Sequence, residues 1–144
     1  MTFFLDTSAL VKLYLDETDS SYVRSLITGT RPVVCRITWA EAVAAMARSN
    51  REASAAIDWL NPARQSLRED WPRFMVVDVT QALVERAGEF ADVFALRGFD
   101  AVQLAAADAA QHAAGEPLSF LAFDRRLNSA ARLLGLALPE GAPC

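Results

Sequence analysis

Phe3-Phe4-Leu5-Asp6-Thr7-Ser8-Ala9-Leu10 passes from an apolar run to one carboxylate, then through two hydroxyls into helix-compatible sequence. This order predicts a first strand over about Thr2 to Leu5 and a helix from Thr7 or Ser8 to Leu15. In an open parallel sheet the carboxyl ends of the strands form the crevice where ligands bind. Asp6 is therefore a candidate metal ligand, with Ser8 offering a second oxygen two residues on. Asp, Ser and Thr are also preferred helix caps, and one such residue alone is more often a cap than a ligand.

Working outward, Asp19 or Ser20 can cap a helix over Ser21 to Ile27, ended by the turn chemistry of Thr28 to Pro32. Val33-Val34-Cys35 has the form of a buried parallel strand, with Cys35 a small core residue. An Ala-rich helix from Thr38 to about Ser49 follows, with a break at Asn50 and Arg51. A further helix is expected over Glu52 to Leu60. Pro62 suits the first turn of the next one, reaching about Asp70. Phe74 to Val77 reads as a third strand, and Asp78 to Thr80 starts a long helix to Leu96 that Gly98 stops. Phe99 to Ala114 is a second long helix. Leu118 to Phe123 is a fourth strand, Asp124 to Leu134 a helix, and Leu136 to Leu138 a short edge strand. Strands alternating with helices predict an α/β fold with a mostly parallel sheet covered on both faces. One domain over residues 1–138 is expected, with a frayed tail over 139–144.

The 144 residues are 53% hydrophobic and 22% charged, which argues against disorder. No apolar run is long enough to span a membrane and no secretory signal is visible, so a cytoplasmic location is expected. Two cysteines, Cys35 and Cys144, make neither a disulfide framework nor a zinc pattern. A net charge of −4 counts against a nucleic-acid-coating protein but not against an enzyme that holds nucleic acid locally. Thirteen of the fourteen basic residues are Arg. Arg suits bidentate phosphate contact, although a GC-rich coding bias gives the same skew.

Four carboxylates recur at equivalent places. Asp6 follows strand one, Glu41 lies in the first turn after strand two, Asp100 starts the helix after Gly98, and Asp124 follows strand four. Each has an ordinary alternative. Thr38-x-x-Glu41 fits a capping box, and Asp100 and Asp124 suit the helix dipole. Together they fit a hard divalent cation, which takes carboxylates, waters and substrate phosphate as ligands, and two-metal phosphodiester hydrolysis requires several acids. Acids at helix starts are expected to remain ionised and to face a common crevice.

The ordered set is Leu5-Asp6-Thr7-Ser8-Ala9-Leu10, Thr38-Trp39-Ala40-Glu41-Ala42, Leu96-Arg97-Gly98-Phe99-Asp100-Ala101-Val102-Gln103-Leu104-Ala105-Ala106 and Phe123-Asp124-Arg125-Arg126-Leu127-Asn128-Ser129-Ala130-Ala131. In order and spacing this resembles a PIN domain, and within that family the toxins of VapC type. The resemblance spans nearly the whole chain and implies a three-layer α/β/α fold with a four- to five-stranded, mostly parallel sheet. It implies a Mg²⁺- or Mn²⁺-dependent endoribonuclease, the toxin of a toxin–antitoxin pair, with a VapB-like antitoxin, an RNA substrate and a homodimer as partners. Asp6, Glu41, Asp100 and Asp124 match the family's acidic quartet, as catalytic residues and metal ligands, and Ser8 matches its hydroxyl position. Capping at strand one then falls to Thr7 or Ser8. One departure is Ala122, where related sequences often carry Thr or Ser.

Arg97, Arg125 and Arg126 flank the acids, and two Arg at a helix N-terminus oppose the dipole, which makes them candidate RNA phosphate contacts. Asp108, about 12 Å along the helix from Asp100, is too far to share one ion and reads as solvated. His112, the only histidine, reads as surface or core filler. Trp39, Trp59 and Trp71, with Leu60 and Leu67, are more often core than interface, although the resemblance implies an antitoxin groove there. Two rival readings remain. A haloacid-dehalogenase-like phosphatase would use Asp6 as nucleophile but wants Asp where Ser8 stands. A PIN-like RNA-binding or scaffold module without catalysis would not need the intact quartet.

Overall fold

Residues 1–53 and 58–143 are described by a computed structural model. The apolar run at the N-terminus forms β1 (Thr2–Leu5), and α1 (Thr7–Leu10) follows it after one residue, continuing as a 3₁₀ turn over Val11–Leu13. Then come α2 (Ser20–Ile27), β2 (Val33–Cys35), α3 (Thr38–Glu52), α4 (Leu60–Asp70) and β3 (Met75–Val77). The chain ends with α5 (Gln81–Phe94), α6 (Gly98–Ala114), β4 (Leu118–Leu121) and α7 (Arg125–Leu133). Among the described residues no helix is long and apolar enough to cross a membrane.

The four strands form one parallel sheet in the order β3-β2-β1-β4. Successive side chains of β1 alternate between its faces. Phe4 faces the layer of α5, α6 and α7, stacking on Phe120 with ring centroids 5.7 Å apart. Phe3 and Leu5 face the layer built by α1 to α4. The result is helix–sheet–helix, with β1 in the interior. Strand order reverses beside β1, where β2 and β3 lie on one side and the late strand β4 on the other. Such a reversal opens a crevice at the carboxyl ends of the two diverging strands. Asp6 follows β1 and Asp124 follows β4, so both enter at that crevice.

Several boundaries differ from expectation, each for a physical reason. α3 runs through Asn50 and Arg51 without a break, its stripe of Ala42 and Met46 buried against the core. Of the helix expected over Glu52 to Leu60, residues 54–57 lie outside the described residues, while Asp58 and Trp59 are not helical. The Asp58 carboxylate accepts from the Leu60 N–H at 3.0 Å, an Asx turn that competes with helix continuation. α5 ends at Ala95 in the left-handed conformation, so Gly98 opens α6 instead of stopping α5. The fifth strand reduces to a single parallel bridge, Ser119 to Ala137. Over residues 139–143 the tail is hydrogen-bonded to α7 and α2. Buried Asn128 donates from Nδ2 to the Pro143 carbonyl at 2.7 Å, and the Tyr22 hydroxyl donates to the Glu140 carbonyl.

Asp108 is buried, which corrects the solvated reading. α5 packs against α6 and lays Arg86 across this face, with Arg86 Nε 3.9 Å from Asp108 Oδ2. His112 Nδ1 is 3.4 Å from the other oxygen of Asp108, and its side chain is largely exposed, far along α6 from the crevice. Trp39 and Trp71 meet edge to face at 5.2 Å and, with Trp59 and Leu60, are partly buried against the core, whereas Leu67 is fully buried.

Candidate active site

Asp6 lies buried at the carboxyl end of β1 and is itself the cap of α1. Its Oδ1 accepts from the Ala9 N–H at 3.0 Å and from the Ser8 hydroxyl at 2.6 Å. Capping therefore does not fall to Thr7 or Ser8, because an extended residue placed just before the helix aims its own side chain at the orphan N–H groups. Ser8 Oγ in turn accepts from the Phe123 N–H at 2.9 Å, tying the exit of β1 to the exit of β4. Asp124 repeats the device as the cap of α7, accepting from the Leu127 N–H at 2.8 Å.

Glu41 is not part of a capping box. Thr38 is the first helical residue, Ile37 is the N-cap and no side chain caps this end, while the fully buried Thr38 Oγ1 accepts from Gln103 Nε2 at 2.8 Å. Glu41 Oε1 instead accepts from the Thr7 hydroxyl and from Gln103 Nε2, both at 2.8 Å. Nothing in the local sequence marks Thr7 or Gln103 as partners of Glu41. The one signal for Gln103 is its place three residues after Asp100, on the same face of α6.

Electrostatics link the acids. Burial pushes the Asp6 carboxyl up to about 7, against the lowering effect of its bonds from Ser8 and Ala9, and the charges of Asp100 and Glu41 add to the rise. Burial also raises Asp100, followed by repulsion from Asp124 and Glu41, while Arg97 acts the other way. Asp6 is thus harder to ionise than an ordinary helix-start acid, because low dielectric outweighs the helix start. Asp100 is the hub, lining both a groove of about 730 Å³ with Glu41, Arg48, Arg97 and Phe99 and a second of about 410 Å³ with Asp124, Arg97, Arg125 and Arg126. Phe99 beside it is largely exposed.

Among the described residues no three His, Cys, Asp or Glu side chains close around a common point as a ready-made ion cage. A hard cation of Mg²⁺ type does not need one, since it keeps several waters and takes one or two carboxylates. The donor set fits such an ion, being all oxygen, mutually repelling, and partly buried.

A family model described as PIN domain matches residues 3–133. The chain belongs to the PIN domain family. Ribonuclease VapC45 of Mycobacterium tuberculosis (strain CDC 1551 / Oshkosh) is 34% identical over 134 residues, 92% of this chain and 90% of that protein. Among solved structures, M. tuberculosis VapC20, a toxin that cleaves the sarcin–ricin loop, superposes with a TM-score of 0.64 at 19% identity, covering 89% of this chain and 94% of VapC20. VapBC2 from Rickettsia felis, bound to a promoter DNA fragment, gives a TM-score of 0.64 at 14% identity, covering 96% of this PIN-domain chain and 98% of the other. The three-layer arrangement with a parallel sheet is thus that of known VapC toxins.

Proposed function

We propose that this PIN-domain protein is a divalent-metal-dependent endoribonuclease acting in the cytoplasm as the toxin of a toxin–antitoxin pair. What supports the reading most is the electrostatic linkage near the sheet's switch point, where Asp6 is affected by the charges of Asp100 and Glu41, and Asp100 by those of Asp124 and Glu41. The curated relative named as a ribonuclease supports RNA as substrate. The VapBC2 structure from R. felis supports a VapB-like antitoxin as partner, and a homodimer is part of the same proposal.

In this reading Asp6 and Asp100 hold the principal ion, with Glu41 and Asp124 contributing directly or through water. A bound Mg²⁺ or Mn²⁺ supplies a water of lowered pKa and offsets charge on the scissile phosphate. The protein's own part is positioning. Ser8 and the Ala9 N–H hold Asp6 in one rotamer, and Asp124 is held by the Leu127 N–H. Arg97, Arg125 and Arg126 border the groove that Asp100 and Asp124 share, where guanidinium groups suit RNA phosphates. No histidine serves as acid or base, because the single imidazole pairs with Asp108 away from the crevice.

Single-stranded RNA incubated with the purified protein is expected to be cut in Mg²⁺ or Mn²⁺ and left intact in chelator. Undiminished cleavage in chelator would sink the proposal, and metal-independent RNA binding without turnover would favour the inactive-module reading. Co-expression with a small antitoxin-like protein encoded beside the gene is expected to suppress cleavage. The double reversal Arg125→Glu with Arg126→Glu is expected to weaken RNA binding in chelator about tenfold or more. It should also flatten the salt dependence by roughly 0.7 for each phosphate that is no longer neutralised. An unchanged slope would remove these two residues from the RNA path.

A further inference from the structure

We infer that Gln103 is a positioning residue for Glu41 and that, with Thr7, it fixes which carboxylate oxygen is left open to the crevice. This role presupposes that Glu41 belongs to the acid site and extends that reading to a neutral side chain.

Gln103 is buried on α6, one turn beyond Asp100. Its Nε2 carries two hydrogens and lies 2.8 Å from Thr38 Oγ1, 2.8 Å from Glu41 Oε1 and 3.1 Å from Thr7 Oγ1. The Thr7 hydroxyl donates to the same Glu41 Oε1 at 2.8 Å. Two donors thus converge on Oε1, and among the described residues none reaches Oε2. Bonds to an ionised acceptor are the stronger kind, so Oε1 is tied to the protein and Oε2 is the oxygen presented outward.

The amide orientation follows from the same contacts. Turning it over would set the Gln103 carbonyl oxygen against the Glu41 carboxylate. In the observed orientation Gln103 Oε1 is buried without a partner among the described residues. An orphaned buried carbonyl is unfavourable, and a leucine would fill similar space without it. What the amide contributes is therefore its donated bonds. Those bonds join three elements, because Thr7 opens α1 beside Asp6, Thr38 opens α3, and Gln103 lies on α6. A long, flexible glutamate side chain is thereby held ready and loses less rotamer freedom when it takes up an ion or a water.

The test uses the full chain with Gln103→Leu, Thr7→Val, Thr7→Ser, Glu41→Gln and the Gln103→Leu/Glu41→Gln double variant. Gln103→Leu and Thr7→Val are each expected to lower kcat for RNA cleavage in Mg²⁺ about 10- to 100-fold, with KM nearly unchanged. Thr7→Ser, which restores the hydroxyl, should recover most of the loss. In the Glu41→Gln background, Gln103→Leu should add no more than about twofold. A readout independent of turnover is the Gln103 side-chain amide resonance in chelator-treated protein, expected to move in both Glu41→Gln and Thr7→Val.

Independent, multiplying losses together with an amide resonance indifferent to Glu41→Gln would overturn the role of Gln103. If Gln103→Leu does not fold, the Thr7 pair and the resonance decide. Glu41→Gln with full activity would instead remove Glu41 from the acid site, so the two failures are distinguishable.

Discussion

Asp100→Asn is expected to reduce RNA cleavage about a thousandfold or more while leaving the fold intact. Asp100 is the acid whose charge is felt by Asp6, and which itself feels Glu41 and Asp124, and it lines both grooves of the crevice. If it helps hold the ion, its loss forfeits several kcal/mol of transition-state stabilisation, and each ~1.4 kcal/mol is tenfold in rate. Stability should not fall, because Asp100 is partly exposed, caps nothing and is repelled by Glu41 and Asp124. Circular dichroism and thermal unfolding check the fold, and initial cleavage rates check the chemistry. Asp100→Asn at near wild-type rate would take Asp100 out of the proposed mechanism.

The second large effect concerns stability and pH at Asp6. Its folded carboxyl lies at about 7 against 3.8 for the ordinary group, so between those values the folded state binds more protons than the unfolded state. Stability from this group is therefore fully present below about pH 4 and is lost as pH rises through about 7. About three units at ~1.4 kcal/mol each sets an upper bound near 4 kcal/mol. In chelator, Asp6→Asn is expected to raise the melting temperature at pH 7.5 by several degrees. The variant should also lose the part of the pH 5 to 7.5 slope that Asp6 causes. Asparagine keeps the Oδ1 acceptor used by Ala9 and Ser8 and removes the buried charge. A divalent cation that binds only the folded state should restore wild-type stability at pH 7.5, by about 2.7 kcal/mol at a hundred times its Kd, and should do little for Asp6→Asn. Equal pH slopes in wild type and variant would refute this account. The predicted trade is a more stable but inactive protein, as expected where like charges are gathered for function.

Much of the fold was legible because local pattern and global packing agree. Phe3-Phe4-Leu5 and Val33-Val34-Cys35 are apolar on both faces, as strands covered by helices on two sides must be. The acids were legible for a related reason, since each follows a strand or opens a helix and those places are marked by short-range chemistry. Boundaries failed where a side chain competed with the backbone, as at Asp58, or where packing overrode weak break signals, as at Asn50 and Arg51. Asp108 was misread because helix spacing records its distance from Asp100 but not that Arg86, 22 residues earlier, would cover it.

By itself the sequence determined the order of the four strands, most of the helices between them and the covering of the sheet on both faces, and it put forward four candidate acids, all carried by residues within a few positions of one another. Only the tertiary structure decided how those acids are held and how they are charged. Asp6 turned out to be both cap and candidate ligand, because its Oδ1 meets Ala9 and Ser8 while burial and the charges of Glu41 and Asp100 raise its pKa. Glu41 is secured by Thr7 and Gln103, 34 and 62 residues away. The partners of Glu41 and the low dielectric around Asp6 arise from packing across such separations, and no short-range pattern encodes them.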